Sequence, residues 1–381
     1  MNSLKICIDA RPLQNANKTR GPGVHIKNVL QQMSRLDQED EFILITQKGK
    51  ELAPLFRNES RIETFRPDRP NRLNWIADHI LLSSLVRQSG AQVFLATDFN
   101  SYLVPPPGVK VVSILYDVIP LLFPEVMAQQ PISIRIGWPI NFRKLKQSDA
   151  LIAISAATRD DAVKVLGLDP ARITVIYPAV NHDLFNPTCA MLPAARESVR
   201  KRYGIVGDYL LYVGDVDWRK NLIRVLEAFV ATPDSVRLVL AGKKALLYPP
   251  LHEQIRSLGL ENRVILTGFV SDEDLPVLYG NALALLFPSL YEGFGLPVAE
   301  AMACGCPVIT SNVSSLPEVA GDAALLVDPT SVDEISAAMK LIVEDRTLRE
   351  QLANAGIRQA AHFSWERHAA EVLAILRKVA G

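Results

Sequence analysis

Net charge is missing from this sequence: 41 Lys and Arg balance 41 Asp and Glu, for a formal charge of zero. With no global field, and no basic stretch interleaved with aromatics, nucleic acid is not an expected partner. Cysteine is scarce, with only Cys7, Cys189, Cys304 and Cys306. Four are too few for a disulfide scaffold, and Cys7 and the Cys304/Cys306 pair sit in apolar surroundings. They read as reduced, packed residues of a cytosolic protein. A lone Cys-x-Cys without a nearby His is a poor metal site. No apolar run approaches the ~20 residues needed to cross a bilayer. The chain runs at once into Lys5-Ile-Cys-Ile8 and Asp9, too short and too charged an opening for a signal peptide. The expected location is cytoplasmic. No Ser/His/Asp or Cys/His triad stands out either, so no protein nucleophile is named.

What is present is length and alternation. At 381 residues and 49% hydrophobic content, the chain suits two domains better than one core. Short apolar runs alternate with helix-periodic segments throughout, the pattern of parallel sheets with crossover helices. Strands are expected at 5–8, 42–46, 93–96, 110–115, 150–154 and 173–176. A second set is expected at 209–213, 237–241, 264–266, 284–287, 307–310 and 324–327. The stretch 178–197, with Pro178, Pro187 and Pro193 and no clear period, reads as the boundary. The expected fold class is α/β, two Rossmann-like doubly wound parallel-sheet domains with the carboxyl ends of their strands facing a central cleft. The domains would be 1–185 and 186–362, followed by a terminal helix over 363–381. Ser364 is a good N-cap for that helix, and Trp365, Ala369, Val372, Leu373 and Leu376 form one stripe.

The most informative stretch is Glu292-Gly-Phe-Gly-Leu-Pro-Val-Ala-Glu300. An apolar strand, a glycine loop and a helix start in succession make an anion site, because free backbone N–H groups and the positive end of the helix dipole face the loop. Pro297 suits the first helical position. Glu292 falls in the loop and Glu300 on the first helical turns. A phosphate-binding floor between two hydroxyl-accepting carboxylates fits a nucleotide sugar. A second strand, 209–213, leads into Arg219-Lys220-Asn221. Cations at a helix start oppose the helix dipole, so a purely structural role is the weaker explanation for them. Arg219 can take phosphate bidentately and Lys220 acts as a point charge.

Together with Leu266-Thr-Gly-Phe-Val270 and Ala301-Met-Ala-Cys-Gly-Cys-Pro-Val-Ile-Thr310, these segments resemble the retaining GT-B glycosyltransferases of family 4. The resemblance is specific over most of 205–365 and weaker but continuous before it. It implies a GT-B fold, an NDP-sugar donor, and a terminal helix that packs back on the first domain. By the same resemblance Glu300 would hold ribose hydroxyls and Glu292 hydroxyls of the donor sugar. Backbone groups of Phe294, Gly295 and Leu296 would meet the diphosphate. Gly268, Phe269 and Val270, with Leu275 beyond, would form the base pocket. Arg219 and Lys220 would stabilise the leaving diphosphate.

Two positions depart from the family pattern. The Arg usual five residues before the Lys is replaced by Asp215, so Arg219 would supply the second charge. Asp215-Val-Asp217 is also an Asp-x-Asp, the metal signature of another transferase fold; the surroundings match the metal-free family, so no metal is expected and a carboxylate there would orient Arg219. Tyr116 stands where the family often has a His that helps hold the donor sugar. Its neighbour Asp117, after a strong strand, would point into the cleft as a catalytic residue. Gly21 and Gly23, in Arg20-Gly-Pro-Gly-Val24 before a helix, would let backbone approach the diphosphate or acceptor. His25, His79 and His182 show no partner pattern, so surface or capping roles are expected.

The basic segment Asn141-Phe-Arg-Lys-Leu-Lys146, with Arg135 upstream and Pro139 between, reads as a solvated face or as a peripheral contact with the inner face of a membrane. The expected donor is GDP-mannose and the acceptor a glycan or lipid-linked glycan of a surface polysaccharide. The alternatives are a synthase making a soluble disaccharide or glucan from UDP- or ADP-glucose, and a sugar-nucleotide-binding protein without activity.

Overall fold

The computed structural model describes residues 3–15, 21–47, 49–64, 81–98, 104–129, 135, 141–190, 193–243 and 248–381. Arg20, His79 and Pro139 lie outside them, as does the side chain of Cys189. The chain forms two compact units, one of residues 1–178 with 365–381, the other of 179–364.

Unit 1 holds a seven-stranded sheet: β1 (Lys5–Asp9), β2 (Glu41–Gln47), β3 (Glu59–Thr64), β4 (Val93–Ala96), β5 (Lys110–Leu115), β6 (Ala150–Ala153) and β7 (Ile173–Val175). All pairings are parallel, in the order β3-β2-β1-β4-β5-β6-β7. The order reverses between β1 and β4, which makes that gap the topological switch point. Inner strands covered on both faces must be apolar throughout, and Ile6, Cys7, Ile8 and Val93 to Ala96 are buried almost without remainder. The edge strand β3 was not expected from sequence. Its residues Glu-Ser-Arg-Ile-Glu-Thr are mostly polar because one side of it faces solvent.

Helix α1 (Gly21–Leu36) begins earlier than expected, so Gly21 and Gly23 lie in its first turn and not in a loop ahead of it. Pro22 explains this: its fixed φ and missing N–H suit a first helical turn. His25, Ile26, Val29, Leu30 and Met33 form its buried face. The terminal helix α2 (Trp365–Ala380) belongs to the same unit and packs along α1 and against the sheet, with Trp365, His368, Ala369, Val372, Leu373 and Leu376 buried. At its far end the Arg377 guanidinium reaches Asp37 at 2.7 Å and Asp40 at 3.2 Å, just past the end of α1.

Unit 2 holds a six-stranded parallel sheet: β8 (Tyr209–Val213), β9 (Arg237–Ala241), β10 (Val264–Gly268), β11 (Ala284–Phe287), β12 (Val308–Ser311) and β13 (Leu325–Val327). Its order is β10-β9-β8-β11-β12-β13, with the switch point between β8 and β11. The stretch read as irregular boundary carries two helical segments, Pro187–Ala190 and Pro193–Tyr203. Their prolines sit at helix starts, where a missing N–H costs nothing. The β8 and β9 ends approach so closely that a Cβ on Gly242 would lie 1.9 Å from the Gly214 carbonyl oxygen, so only glycine fits there.

Candidate nucleotide-sugar site

The switch point of unit 2 collects the chemistry-bearing residues. After β8 the chain passes Asp215 and Asp217 into a 3₁₀ turn, Trp218–Lys220. After β11 it enters the loop carrying Glu292 and then helix α3 (Leu296–Ala303). These two exits are adjacent because β8 pairs with β11. Lys220 Nζ consequently meets Glu292 Oε1 at 2.5 Å, with 15% and 10% of their side chains exposed. The ammonium also lies 4.6 Å from the Phe287 ring centroid.

Several hydrogen bonds hold that geometry. Asn221 adopts the left-handed conformation, φ 61°, that Asn tolerates better than most residues. Its amide donates to the carbonyls of Pro288 at 3.0 Å and Pro329 at 2.6 Å, stitching the turn to two neighbouring loops. The Leu290 amide donates to the Arg219 carbonyl at 2.7 Å. On the other side, the Glu292 amide donates to Ser314 Oγ at 3.0 Å, and the Ser315 hydroxyl reaches the carbonyls of Glu292 and Phe294. Asp217 caps the 3₁₀ turn by accepting from the Arg219 amide at 3.1 Å, and it pairs with the guanidinium at 3.2 Å. Its carboxylate orients Arg219, and Asp215 is exposed beside it. Among the described residues no group of three or more His, Cys, Asp or Glu could hold a metal ion.

Helix α3 starts where the sequence placed an anion floor. Gly295 precedes it at φ 109°, and a Cβ there would lie 2.7 Å from Leu316 Cδ2. Pro297 is its second residue, so the first-turn N–H groups around Gly295 and Leu296 are those a helix leaves over for a ligand. Phe294 is buried against Phe363, ring centroids 5.4 Å apart. Glu300 is half-buried on the same helix and accepts from the Tyr279 hydroxyl at 3.1 Å. Burial pushes its carboxyl up to about 7, and the Tyr279 hydrogen bond opposes this.

At the end of β10 the Gly268 carbonyl accepts from the Gly242 amide at 3.0 Å. Phe269 is 68% exposed, Val270 is buried, and Leu275 is half-buried at the start of helix Leu275–Gly280. The exposure of Phe269 removes the possibility that it is core.

Gly21, Gly23 and Asp117 belong to unit 1. Asp117 Oδ1 accepts from the Ile119 amide at 3.0 Å, just beyond β5. Two expectations are corrected here. His25 is neither a surface nor a capping residue: it is 2% exposed, held by Tyr116 and His368. The basic segment is only partly a surface, since Lys144 is buried along with Asn141, Phe142 and Leu145, leaving Arg143, Lys146 and Arg135 exposed. Burial lowers the Lys144 ammonium to about 8, while Asp98 at the end of β4 holds it up.

With this geometry in place, the similarities become decisive. The family described as Glycosyltransferase Family 4 matches residues 19–184, and that described as Glycosyl transferases group 1 matches 196–359. The O-antigen chain mannosyltransferase B of Escherichia coli is 32% identical over 323 residues, covering 84% of this chain and 80% of that one. The chain belongs to glycosyltransferase family 4. The serotype-specific mannosyltransferase WbdA of Escherichia coli is 31% identical over 282 residues, 70% of this chain and 34% of that longer protein. The sucrose-phosphate synthase of Thermosynechococcus elongatus shares the fold, with a TM-score of 0.78 at 19% identity over 98% of both chains. The two parallel-sheet units of this glycosyltransferase thus form the GT-B architecture. No helix among its described residues is long and apolar enough to cross a membrane.

Sequence reasoning passed over Asn221, Ser314, Ser315 and Tyr279 in this glycosyltransferase. Each acts through a partner 21 to 108 positions away, so no local pattern marks it. The one available signal was an Asn directly after the cations, a residue type that tolerates the left-handed conformation found there.

Proposed function

We propose that this protein is a retaining mannosyltransferase that moves mannose from GDP-mannose to a glycan or lipid-linked glycan acceptor in surface-polysaccharide synthesis. The observation that carries the reading is the Lys220–Glu292 pair at the switch point of unit 2, beside the N-terminus of α3. The two Escherichia coli relatives are mannosyltransferases, which supports mannose as the sugar.

Arg219 and Lys220 offset the charge that builds on the departing diphosphate, together with the first-turn N–H groups and dipole of α3. Glu292 accepts hydroxyls of the sugar, and Glu300 those of the ribose. Gly268, Phe269, Val270 and Leu275 provide the base pocket. Unit 1 serves the acceptor, with Asp117 and the helix start at Gly21 and Gly23 as its contributions. The departing phosphate takes the acceptor proton on the face that the sugar leaves, which retains configuration and needs no protein nucleophile or metal. The exposed Arg135, Arg143 and Lys146 give unit 1 a modest basic face for peripheral contact with an anionic lipid surface.

The test is a donor panel of GDP-, UDP- and ADP-sugars, following nucleotide release and product. Turnover confined to GDP-mannose supports the proposal. Preference for UDP- or ADP-glucose with a soluble acceptor supports a disaccharide or glucan synthase, and binding without turnover supports a non-catalytic protein.

A further inference from the structure

A buried hydrogen-bond chain in unit 1 has no part in the reading above. His25 Nδ1 lies 3.0 Å from the Tyr116 hydroxyl, and its Nε2 lies 3.1 Å from His368 Nε2. His368 Nδ1 in turn lies 2.7 Å from the Tyr177 carbonyl oxygen. The chain ties α1 and α2 to the carboxyl end of β5 and to the last residue but one before unit 1 passes into unit 2. The rings meet edge to face, His25 with Tyr116 at 5.4 Å and His25 with His368 at 4.8 Å.

The directions of these bonds follow from donor arithmetic. A carbonyl only accepts, so His368 Nδ1 carries a proton. A neutral imidazole then has a bare Nε2, which can only accept, so His25 Nε2 must donate. The bare His25 Nδ1 accepts, and the Tyr116 hydroxyl therefore gives its single proton inward. Both imidazoles are 2% exposed, and burial disfavours their charged forms. Consistently, His368 is pushed down to about 4 and His25 well below its ordinary value.

Tyr116 itself is half-buried, one strand from the switch point between β1 and β4. With its proton committed, its oxygen keeps only lone pairs for a ligand. The negative charge of Asp98 acts on the same hydroxyl. An acceptor-only oxygen near a carboxylate repels phosphate and welcomes an O–H donor, which is the chemistry of a sugar hydroxyl.

We propose that His25 and His368 are positioning residues that turn the Tyr116 proton inward, so that Tyr116 receives one hydroxyl of a sugar substrate. The ligand class rests on the sugar-transfer reading; the hydrogen-bond directions do not. Transfer kinetics and histidine ¹⁵N spectra test the two parts separately. Tyr116→Phe lowers kcat/KM roughly tenfold, the worth of one good hydrogen bond. A rise in donor KM alone places the hydroxyl on the donor sugar, and a rise in acceptor KM alone places it on the acceptor.

His25→Phe gives the same loss, and adds nothing on the Tyr116→Phe background, because both remove one interaction. His368→Gln, whose amide offers one donor and one acceptor, keeps more activity than His368→Phe. Nucleoside diphosphate affinity, which belongs to unit 2, stays unchanged in all variants, and a near-ultraviolet circular dichroism spectrum matching the wild type reports a folded unit 1. The spectra show neutral rings at pH 7, protonated at Nε2 in His25 and at Nδ1 in His368. Wild-type turnover by Tyr116→Phe, or full multiplication of the two losses, overturns the proposal. The opposite tautomers overturn it even in an active enzyme. If the tautomers are as assigned but wild-type protein transfers no sugar, the sugar-transfer reading has failed and takes the ligand assignment with it.

Discussion

Glu300→Gln separates the charge of this carboxyl from its shape. Gln keeps the size of the side chain and an oxygen to accept from the Tyr279 hydroxyl, which donates to Glu300 at 3.1 Å. What it removes is the ionised form, whose pKa burial raises from 4.5 to about 7. A group of pKa about 7 is about one-tenth ionised at pH 6 and nine-tenths at pH 8. If ribose hydroxyls bind the carboxylate, wild-type affinity for nucleoside diphosphate gains roughly tenfold over that interval, equivalent to about 1.4 kcal/mol. At pH 8 the variant loses one or two charge-assisted hydrogen bonds, about 1.5–3 kcal/mol each.

The assay is calorimetry with nucleoside diphosphate from pH 6 to pH 8 on both proteins. The titration of the phosphate is common to both and cancels in their difference. Stability moves the other way. A carboxyl whose folded pKa is raised binds more protons folded than unfolded between pH 4.5 and about 7, so stability falls as pH rises through that window. Glu300→Gln removes this loss and is the more stable protein at pH 8, by up to ~3 kcal/mol at 1.36 per pKa unit, less for the part of the carboxyl that water reaches. Parallel pH profiles for the two proteins, or equal affinity at pH 8, refute the assignment of Glu300 to ribose.

Other expectations follow from the same geometry. Lys220→Ala leaves the buried Glu292 carboxylate without its partner and costs about 3–5 kcal/mol of stability in urea unfolding, whereas Lys220→Ala/Glu292→Ala recovers most of that stability without recovering turnover. Glu292→Ala alone spares nucleoside diphosphate affinity and lowers kcat, as a contact to the sugar in the transition state requires; weakened nucleoside diphosphate binding would contradict it. Gly242→Ala forces the β8 and β9 ends apart, because its Cβ would sit 1.9 Å from a carbonyl oxygen, and is expected to yield little soluble protein or a strongly lowered Tm. The buried imidazoles make the fold acid-sensitive: His368 titrates near 4 when folded and 6.5 when unfolded, so stability falls as pH drops through that window, by about 3 kcal/mol for this residue alone, and His368→Phe flattens the slope. Activity persists in excess chelator; loss restored by Mn²⁺ or Mg²⁺ would assign Asp215 and Asp217 to a metal.

Much of this fold is legible in sequence because central parallel strands are buried on both faces and read as unbroken apolar runs. Strands such as Val93–Ala96, Lys110–Leu115 and Tyr209–Val213 stand where the runs place them. The polar edge strand Glu59–Thr64 has no such run, and its pairing with β2 supplies what its side chains do not. The placement of Lys220 against Glu292 follows from topology: residues after β8 and β11 meet because those strands pair. Partners set by long-range packing are a different matter. His25 and His368 are 343 residues apart, and nothing near either marks the other. Lys144 looked like one of several surface cations, yet it is buried, where the charge of Asp98 supports its ammonium. The proline-rich stretch after Pro178 shows no clear period in sequence, yet Pro187 and Pro193 each begin a helix there.

The central claim is retaining transfer of mannose from GDP-mannose, and the most direct measurement is proton NMR of the product formed from that donor in the presence of a mannan-type acceptor. The account predicts a new α-anomeric signal, the configuration of the donor, appearing with stoichiometric release of GDP. A β-linked product, or GDP-mannose left intact while UDP- or ADP-glucose is consumed, would contradict it.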